Sequence, residues 1–194
     1  MKTEIEAKFL SIDTDEMRAK LTKVGAICKQ PMQVMRRVVF HNEVMDQKNA
    51  YLRVRDEGHR ITMTYKQFDD ISLTGAKEIE FNVSEYENAI ALLEAIGITP
   101  RSLQETRREI WELGKVEVVI DEWPWIQPFI EIEAPTEKLV KDTAAKLGFS
   151  WNEAAFGDIM TAYLAEYPHT TPNDRIYKLP TIRFEDPLPE MLKV

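Results

Sequence analysis

The tightest constraint in this chain is one of parity: in one short segment after another, charged residues take every second position. At the N-terminus, MKTEIEAKFL sets Glu4, Glu6 and Lys8 against Ile5, Ala7 and Phe9. Successive side chains of a β-strand point to opposite faces, so the three charges share one face and the three apolar residues the other. LRVR repeats the pattern with Arg53 and Arg55 against Leu52 and Val54, and TYK puts Thr64 and Lys66 together. EIE sets Glu78 and Glu80 around Ile79, VVID places Asp121 opposite Val118 and Ile120, and FIEIE sets Glu131 and Glu133 around Ile130 and Ile132. Near Trp111, Arg107 and Arg108 fall on opposite faces. If Trp111 and Leu113 face the apolar layer, Arg108 joins the charged face; a slip of one residue would substitute Arg107.

One such strand is an ordinary half-solvated surface strand. Their repetition is not ordinary, because solvated faces usually mix Thr, Ser and Gln with the charges, and here nearly every position is Glu, Asp, Arg or Lys. The strand-like stretches are QVMRRVVF, AYLRVRDEG, RITMTYKQF, AKEIEFNV, RREIWEL, KVEVVIDEW and PFIEIEA, with DEGHR and ELGK as hairpin turns. Four helices are expected among them. The first runs from Asp13 to Val24, with Asp13 and Glu16 spaced like a capping box and Gly25 as its stop. The second opens on Ser84 and Glu87 and reaches Gly97; the third covers Glu137 to Leu147; the fourth spans Asn152 to Glu166, before Pro168. Consecutive short strands with interspersed helices make an α+β fold of antiparallel hairpins. Apolar helix stripes such as Met17, Leu21 and Val24 suit packing on the sheet's apolar face, which leaves the charged face to solvent or to a barrel interior. A barrel of about eight strands encloses room for side chains or one small ligand.

Composition excludes several classes. The formal net charge of −8 argues against a duplex nucleic-acid binder. No stretch approaches the roughly 18 apolar residues of a membrane span, and the N-terminus enters strand-like sequence at once, unlike a secretory signal. The lone cysteine, Cys28, beside Ile27, reads as a buried structural thiol of a reducing cytoplasm. The three histidines share no local metal spacing with it. From Pro168 onward the chain is Pro-rich (Pro168, Pro172, Pro180, Pro187, Pro189) and loses periodicity, so residues 1–167 are expected as one domain and 168–194 as an extended tail, draped on the barrel or on a partner.

A wall carrying both signs of charge suits one ligand class. Carboxylates bind Mg²⁺ or Mn²⁺ through oxygen, whereas arginine forks and lysine bind phosphate oxygens. Acid for a metal and base for an anion is the division of labour of phosphoryl transfer.

The ordered set resembles the CYTH superfamily, the triphosphate tunnel metalloenzymes, which includes thiamine triphosphatases, inorganic tripolyphosphatases and class IV adenylate cyclases. The resemblance lies in ExExK at Glu4, Glu6 and Lys8, RxR at Arg53 and Arg55, Lys66, ExE at Glu78 and Glu80, then Asp121 and the ExE of Glu131 and Glu133, across residues 2–165. It implies an eight-stranded antiparallel barrel forming a tunnel with a charged interior and helices outside. It further implies Glu4, Glu6, Glu131 and Glu133 as metal-side carboxylates with Asp121 nearby. Lys8, Arg53, Arg55, Lys66 and Arg108, with Arg107 as rival, would hold the triphosphate. Glu78 and Glu80 would orient a second metal or the attacking water, so the catalytic set is Glu4, Glu6, Lys8, Glu78 and Glu80. The implied activity is Mg²⁺- or Mn²⁺-dependent hydrolysis of inorganic tripolyphosphate, thiamine triphosphate or a nucleoside triphosphate. The alternatives are a cyclase making cyclic AMP and pyrophosphate from ATP, and a non-catalytic polyphosphate-binding module. The implied partner is a small-molecule triphosphate, with neither duplex nucleic acid nor membrane; dimerisation of the chain stays open. Two stretches depart from the family pattern: QVMRRVVFH carries Arg36 and Arg37 where many members have an aspartate, and QPF stands in place of Leu-Gly-Phe. The WPW of Trp123–Trp125 either packs a barrel-end loop or stacks a ring of the substrate.

Overall fold

The computed structural model describes residues 1–171 and 175–194; Pro172 of the tail lies outside the described residues. Among the described residues there are ten strands: β1 Lys2–Thr3, β2 Glu6–Phe9, β3 Ile27–Phe40, β4 Ala50–Asp56, β5 Ile61–Phe68, β6 Ala76–Val83, β7 Pro100–Leu113, β8 Val116–Glu122, β9 Phe129–Glu133 and β10 Thr181–Ile182. Five α-helices accompany them among the same residues: α1 Thr14–Lys23, α2 Glu43–Gln47, α3 Tyr86–Ala95, α4 Glu137–Lys146 and α5 Met160–Glu166.

The sheet runs β1-β6-β5-β4-β3-β7-β8-β9-β2, antiparallel throughout, with β10 joined in parallel to β7. Its two ends, β1 and β2, are separated in sequence only by Glu4 and Ile5. The N-terminal chain therefore holds both edges: Glu4 N–H donates to Ala76 O at 3.0 Å, and Ala134 N–H donates to Ile5 O at 3.1 Å. Taken as one bent strand, β1 and β2 complete a ring of eight antiparallel strands, which removes the open edges a flat sheet would expose.

Parity decides what faces out. Ala7, Phe9, Val118, Ile120, Ile130 and Ile132 pack under α1 and α4 with Met17, Leu21, Val140 and Leu147. Val38, Phe40 and Val54 pack under α3 with Tyr86, Ala89 and Leu93. Burying each such side chain contributes on the order of 1.5–3 kcal/mol. The cover is incomplete on β6, where Ile79 and Phe81 are half exposed.

Several expectations are corrected. α3 begins at Tyr86, and its N-cap is Glu85 with no side-chain cap bond, so Ser84 does not start it. The fourth predicted helix divides into a 3₁₀ turn, Trp151–Glu153, and α5. Between them the chain is extended: Lys8 and Ala155 exchange two backbone hydrogen bonds of 2.9 Å, and Gly157 takes φ +96°. Those bonds to β2 outcompete continued helix. α2 was not expected; Asn42 caps it by accepting from Met45 N–H at 2.9 Å. Cys28 is exposed, because β3 starts earlier than expected and its first residues pair with the far end of β7, where Ile27 too is open to solvent.

The tail packs on one end of the barrel. Ile176, Ile182 and Leu192 are buried with Trp123, Phe129, Met160 and Tyr163. β10 occupies the edge of β7 at Leu103 and Gln104, which β8, pairing only from Arg107, leaves open. Tyr163 Oη donates to Pro124 O at 2.7 Å, and Trp125 Nε1 donates to Asp186 O at 3.0 Å, so the WPW loop is tied into this layer. Ile182→Asp would place an unpaired carboxylate in that layer. It is expected to cost about 3 kcal/mol or more in urea unfolding followed by circular dichroism; a loss below about 1 kcal/mol would mean that the tail is only loosely attached.

Candidate active site: a charged tunnel

The inward faces of the strands enclose a cavity of about 490 Å³. Ten Lys or Arg and eleven Asp or Glu residues line it among the described residues. Glu4, Glu6, Lys8, Arg53, Arg55, Lys66, Glu78, Glu80, Arg108, Asp121, Glu131 and Glu133 all face it. Arg107 does not: its guanidinium meets Glu122 at 3.1 Å and lies 4.1 Å from the Phe184 ring centroid on the outer side. The parity of β7, with Trp111 in the outer core, sends Arg108 inward and corrects the rival placement of Arg107.

The two signs are segregated around the ring. On one wall, Glu6 of β2, Glu133 of β9 and Glu117 of β8 stand side by side in register, three carboxylates in a row. Like charges directly opposite one another destabilise a sheet unless something positive lies between. Lysines do part of that here. Lys8 Nζ lies 3.2 Å from Glu131 and 3.4 Å from Glu6, and donates to Gly157 O at 2.9 Å. Lys66 Nζ lies 2.6 Å from Glu4 Oε2 and 3.6 Å from Glu6, and Lys2 lies 2.8 Å from Glu133. Burial works against both buried ammoniums, yet Glu131 and Glu6 beside Lys8, and Glu6 and Glu4 beside Lys66, hold them well above the ordinary lysine range. Although burial favours its neutral form, Glu131 is held far below the carboxylate range by Lys8, Arg108 and Lys66. Burial pushes the Glu4 carboxyl up to about 7, with Lys66 opposing the rise and Glu6 and Glu78 adding to it.

On the opposite wall, Arg37 of β3 and Arg55 of β4 are register partners, with Arg53 two residues before Arg55. Arg53 donates to Thr64 at 3.2 Å and reaches Glu80 at 3.5 Å; Thr64 Oγ1 donates to Glu80 at 2.7 Å. Arg55 Nε donates to Glu57 at 2.7 Å. Burial, with Arg53 and Arg108 nearby, brings Arg55 down to about 10, so it keeps its charge at neutral pH. Arg108 Nε donates to Asp121 at 2.7 Å and its Nη2 contacts Glu131 at 3.1 Å. Asp121 thus stands as the anchor of Arg108, apart from the acidic row.

Among the described residues, two buried donors of this cavity make no hydrogen bond, Arg37 Nε and Arg53 Nε, whereas Glu4 Oε2 is ion-paired with Lys66 at 2.6 Å. Both unpartnered donors stand on the basic wall. Glu4, Glu6, Glu131 and Glu133 are the oxygen donors that a hard divalent cation prefers. Among the described residues no three acidic or imidazole groups converge as a formed metal cluster; lysines stand between them. Four carboxylates lining one cavity are a donor set that fits Mg²⁺ or Mn²⁺.

Arg37, Glu117 and Glu57 are among the lining residues that sequence reasoning missed. Arg37 shares its inner face with Val39, and Glu117 with Val119, so an apolar neighbour interrupts the charged parity in both strands. Glu57, wholly buried in the β4–β5 turn, looked like turn chemistry rather than a partner of Arg55.

With fold and site in hand, the CYTH domain model matches residues 2–153, and the chain belongs to the CYTH family. PH1012 from Pyrococcus horikoshii OT3 is similar at 25% identity and TM-score 0.69, over 82% of this chain and 98% of that one. A Vibrio parahaemolyticus protein, described as a candidate adenylate cyclase, superposes with TM-score 0.72 at 12% identity, over 84% and 98% of the two chains. HpAC1 from Hippeastrum, described as having a dominant triphosphatase activity, gives 0.55 at 12% identity, over 87% and 98%. At that identity the last two share the fold. Of the functionally curated proteins, none matches the chain.

Glu57 supplies a pH test. Burial alone would raise its carboxyl, but Arg55 and Arg60 bring it down to about 2 from an ordinary 4.5. A carboxyl depressed in the folded state stabilises the protein fully above its unfolded value and loses that contribution as pH falls through the folded one. Unfolding free energy should therefore drop between pH 4.5 and about 2, by on the order of 2 kcal/mol. Glu57→Gln should be less stable at neutral pH and flatter across that window in denaturant titrations. An unchanged slope would contradict the pairing.

Proposed function

We propose that this chain is a divalent-metal-dependent triphosphatase that cleaves the terminal phosphate of a triphosphate inside the barrel. The segregation of charge carries the reading: an arginine wall with unpartnered N–H donors faces a row of carboxylates held in register. A polyphosphate chain suits the first and a hard cation the second. A metal-free polyanion alone would leave the acidic row repelling it.

Arg53, Arg55 and Arg108, with Lys8 and Lys66, bind the phosphate oxygens and stabilise the charge that develops on the leaving phosphate. Their guanidiniums are held in place before substrate arrives, by Glu57 at Arg55, Thr64 at Arg53 and Asp121 at Arg108. Glu4, Glu6, Glu131 and Glu133 would hold Mg²⁺ or Mn²⁺, which when bound neutralises phosphate oxygens and lowers the pKa of water. Glu78 lines the cavity and orients the attacking water, accepting its proton as the bond to phosphorus forms. Glu80, tied to Thr64 and Arg53, fixes the neighbouring part of the wall.

The experiment is phosphate release from tripolyphosphate, thiamine triphosphate, ATP and GTP with Mg²⁺ or Mn²⁺, with the ATP reactions also assayed for cyclic AMP. Release abolished by EDTA is the expected result; cyclic AMP with pyrophosphate would transfer the chain to the cyclases. Glu133→Gln, in protein shown to be folded, is expected to lower kcat by about a hundredfold or more. Unchanged turnover would remove Glu133 from the metal side.

A further inference from the structure

Of the lysines and arginines that the strands aim into the cavity, Arg37 alone has no carboxylate at ion-pair distance among the described residues. Lys8 has Glu131 and Glu6, Arg53 has Glu80, Arg55 has Glu57, Lys66 has Glu4, Arg101 has Asp46 and Arg108 has Asp121. Arg37 is buried, 5% exposed; its Nη2 donates to Thr106 Oγ1 at 2.6 Å and its Nε has no partner. Burial disfavours its charge, and Arg53, Arg55 and Arg108 repel it, with Asp121 the opposing influence. A guanidinium in that setting needs an anion that the protein does not supply.

Arg37 also occupies the face of an aromatic ring. Its guanidinium carbon lies 4.7 Å from the centroid of Trp123, which lines the same cavity. Two other rings there are similarly taken. Tyr177 stacks on His41 at 5.9 Å and has Arg101 at 5.8 Å, and Phe68 has Lys66 at 5.5 Å. On these three rings, cation–π contact with the protein's own side chains replaces the stacking that a nucleobase or a thiazolium would seek.

Building on the triphosphatase reading, we infer that Arg37 is a specificity-determining residue. Its guanidinium binds a phosphate oxygen of the substrate, and by covering Trp123 it denies that ring to a flat organic group. The site therefore favours an unsubstituted phosphate chain over a triphosphate that carries a ring.

The test compares kcat/KM for tripolyphosphate, ATP and thiamine triphosphate in the wild type, Arg37→Gln and Arg37→Lys. Arg37→Gln should lose about tenfold or more on tripolyphosphate, the scale of one charged hydrogen bond. It should lose much less on the ring-bearing substrates, so the preference ratio shifts toward them. Arg37→Lys keeps the charge but not the flat cover, so its ratio should shift the same way with a smaller loss on tripolyphosphate. It serves as the readout if Arg37→Gln does not fold. An equal loss on all three substrates, or no loss, would overturn the inference. A second arm measures tripolyphosphate binding by calorimetry in EDTA, where Arg37→Gln should bind about tenfold or more weakly and Arg37→Lys nearly as the wild type does. If the wild type cleaves none of the panel, the triphosphatase reading fails, and this arm still decides whether Arg37 holds phosphate.

Discussion

Like charges held in register on neighbouring strands dominate the physics of this barrel. Glu6, Glu133 and Glu117 form one such row, and Arg37 with Arg55 forms another on the opposite side. In an open sheet, water would screen both; closure of the ring by the N-terminal chain removes most of that screening. The repulsion is then offset internally, by Lys8, Lys66 and Lys2 on the acidic side and by Glu57, Glu80 and Asp121 on the basic side. The compensation is incomplete at two guanidinium nitrogens, Arg37 Nε and Arg53 Nε, and both belong to residues that line the cavity. Gln30 Nε2 and Ser102 Oγ also lack a partner, but the two unpaired charged groups fall together in the cavity, where broken local rules point to function.

The apolar half of each strand makes this tolerable. Ile120, Ile130, Ile132, Val118 and Val54 are fully buried outside the ring, under α1, α3 and α4. Their burial supplies the free energy that a charged interior does not. The segment past the family match adds a second layer at one end. Gly157 O receives Lys8, Asp158 and Tyr177 line the cavity, and Ile176, Ile182 and Leu192 seal the outside of that end against Tyr163.

Much of this was legible in the sequence, because a period of two is unambiguous when one face is charged and the other is Ile, Val and Leu. The lining positions of β2, β4, β5, β6 and β9 follow from it directly. Parity with Trp111 also separates Arg108 from Arg107 once the register of β7 is known. What escaped did so for identifiable reasons. Arg37 and Glu117 sit in strands whose inner faces also carry Val39 and Val119, so the alternation breaks. The break between Trp151–Glu153 and α5 depends on a backbone pairing with Lys8, a contact of high sequence separation that no local pattern announces. Cys28 looked buried beside Ile27, but both are exposed at the start of the long β3–β7 pair.

The central claim is that the two charged walls await two different ligands that neutralise each other's surroundings. Thermal unfolding with Mg²⁺ alone, with tripolyphosphate alone and with both tests it most directly, since a ligand bound only by the folded state raises the midpoint according to its affinity. The account predicts a shift with both present that clearly exceeds the sum of the separate shifts, because each ligand removes charge that repels the other. Additive shifts, or none, would contradict it.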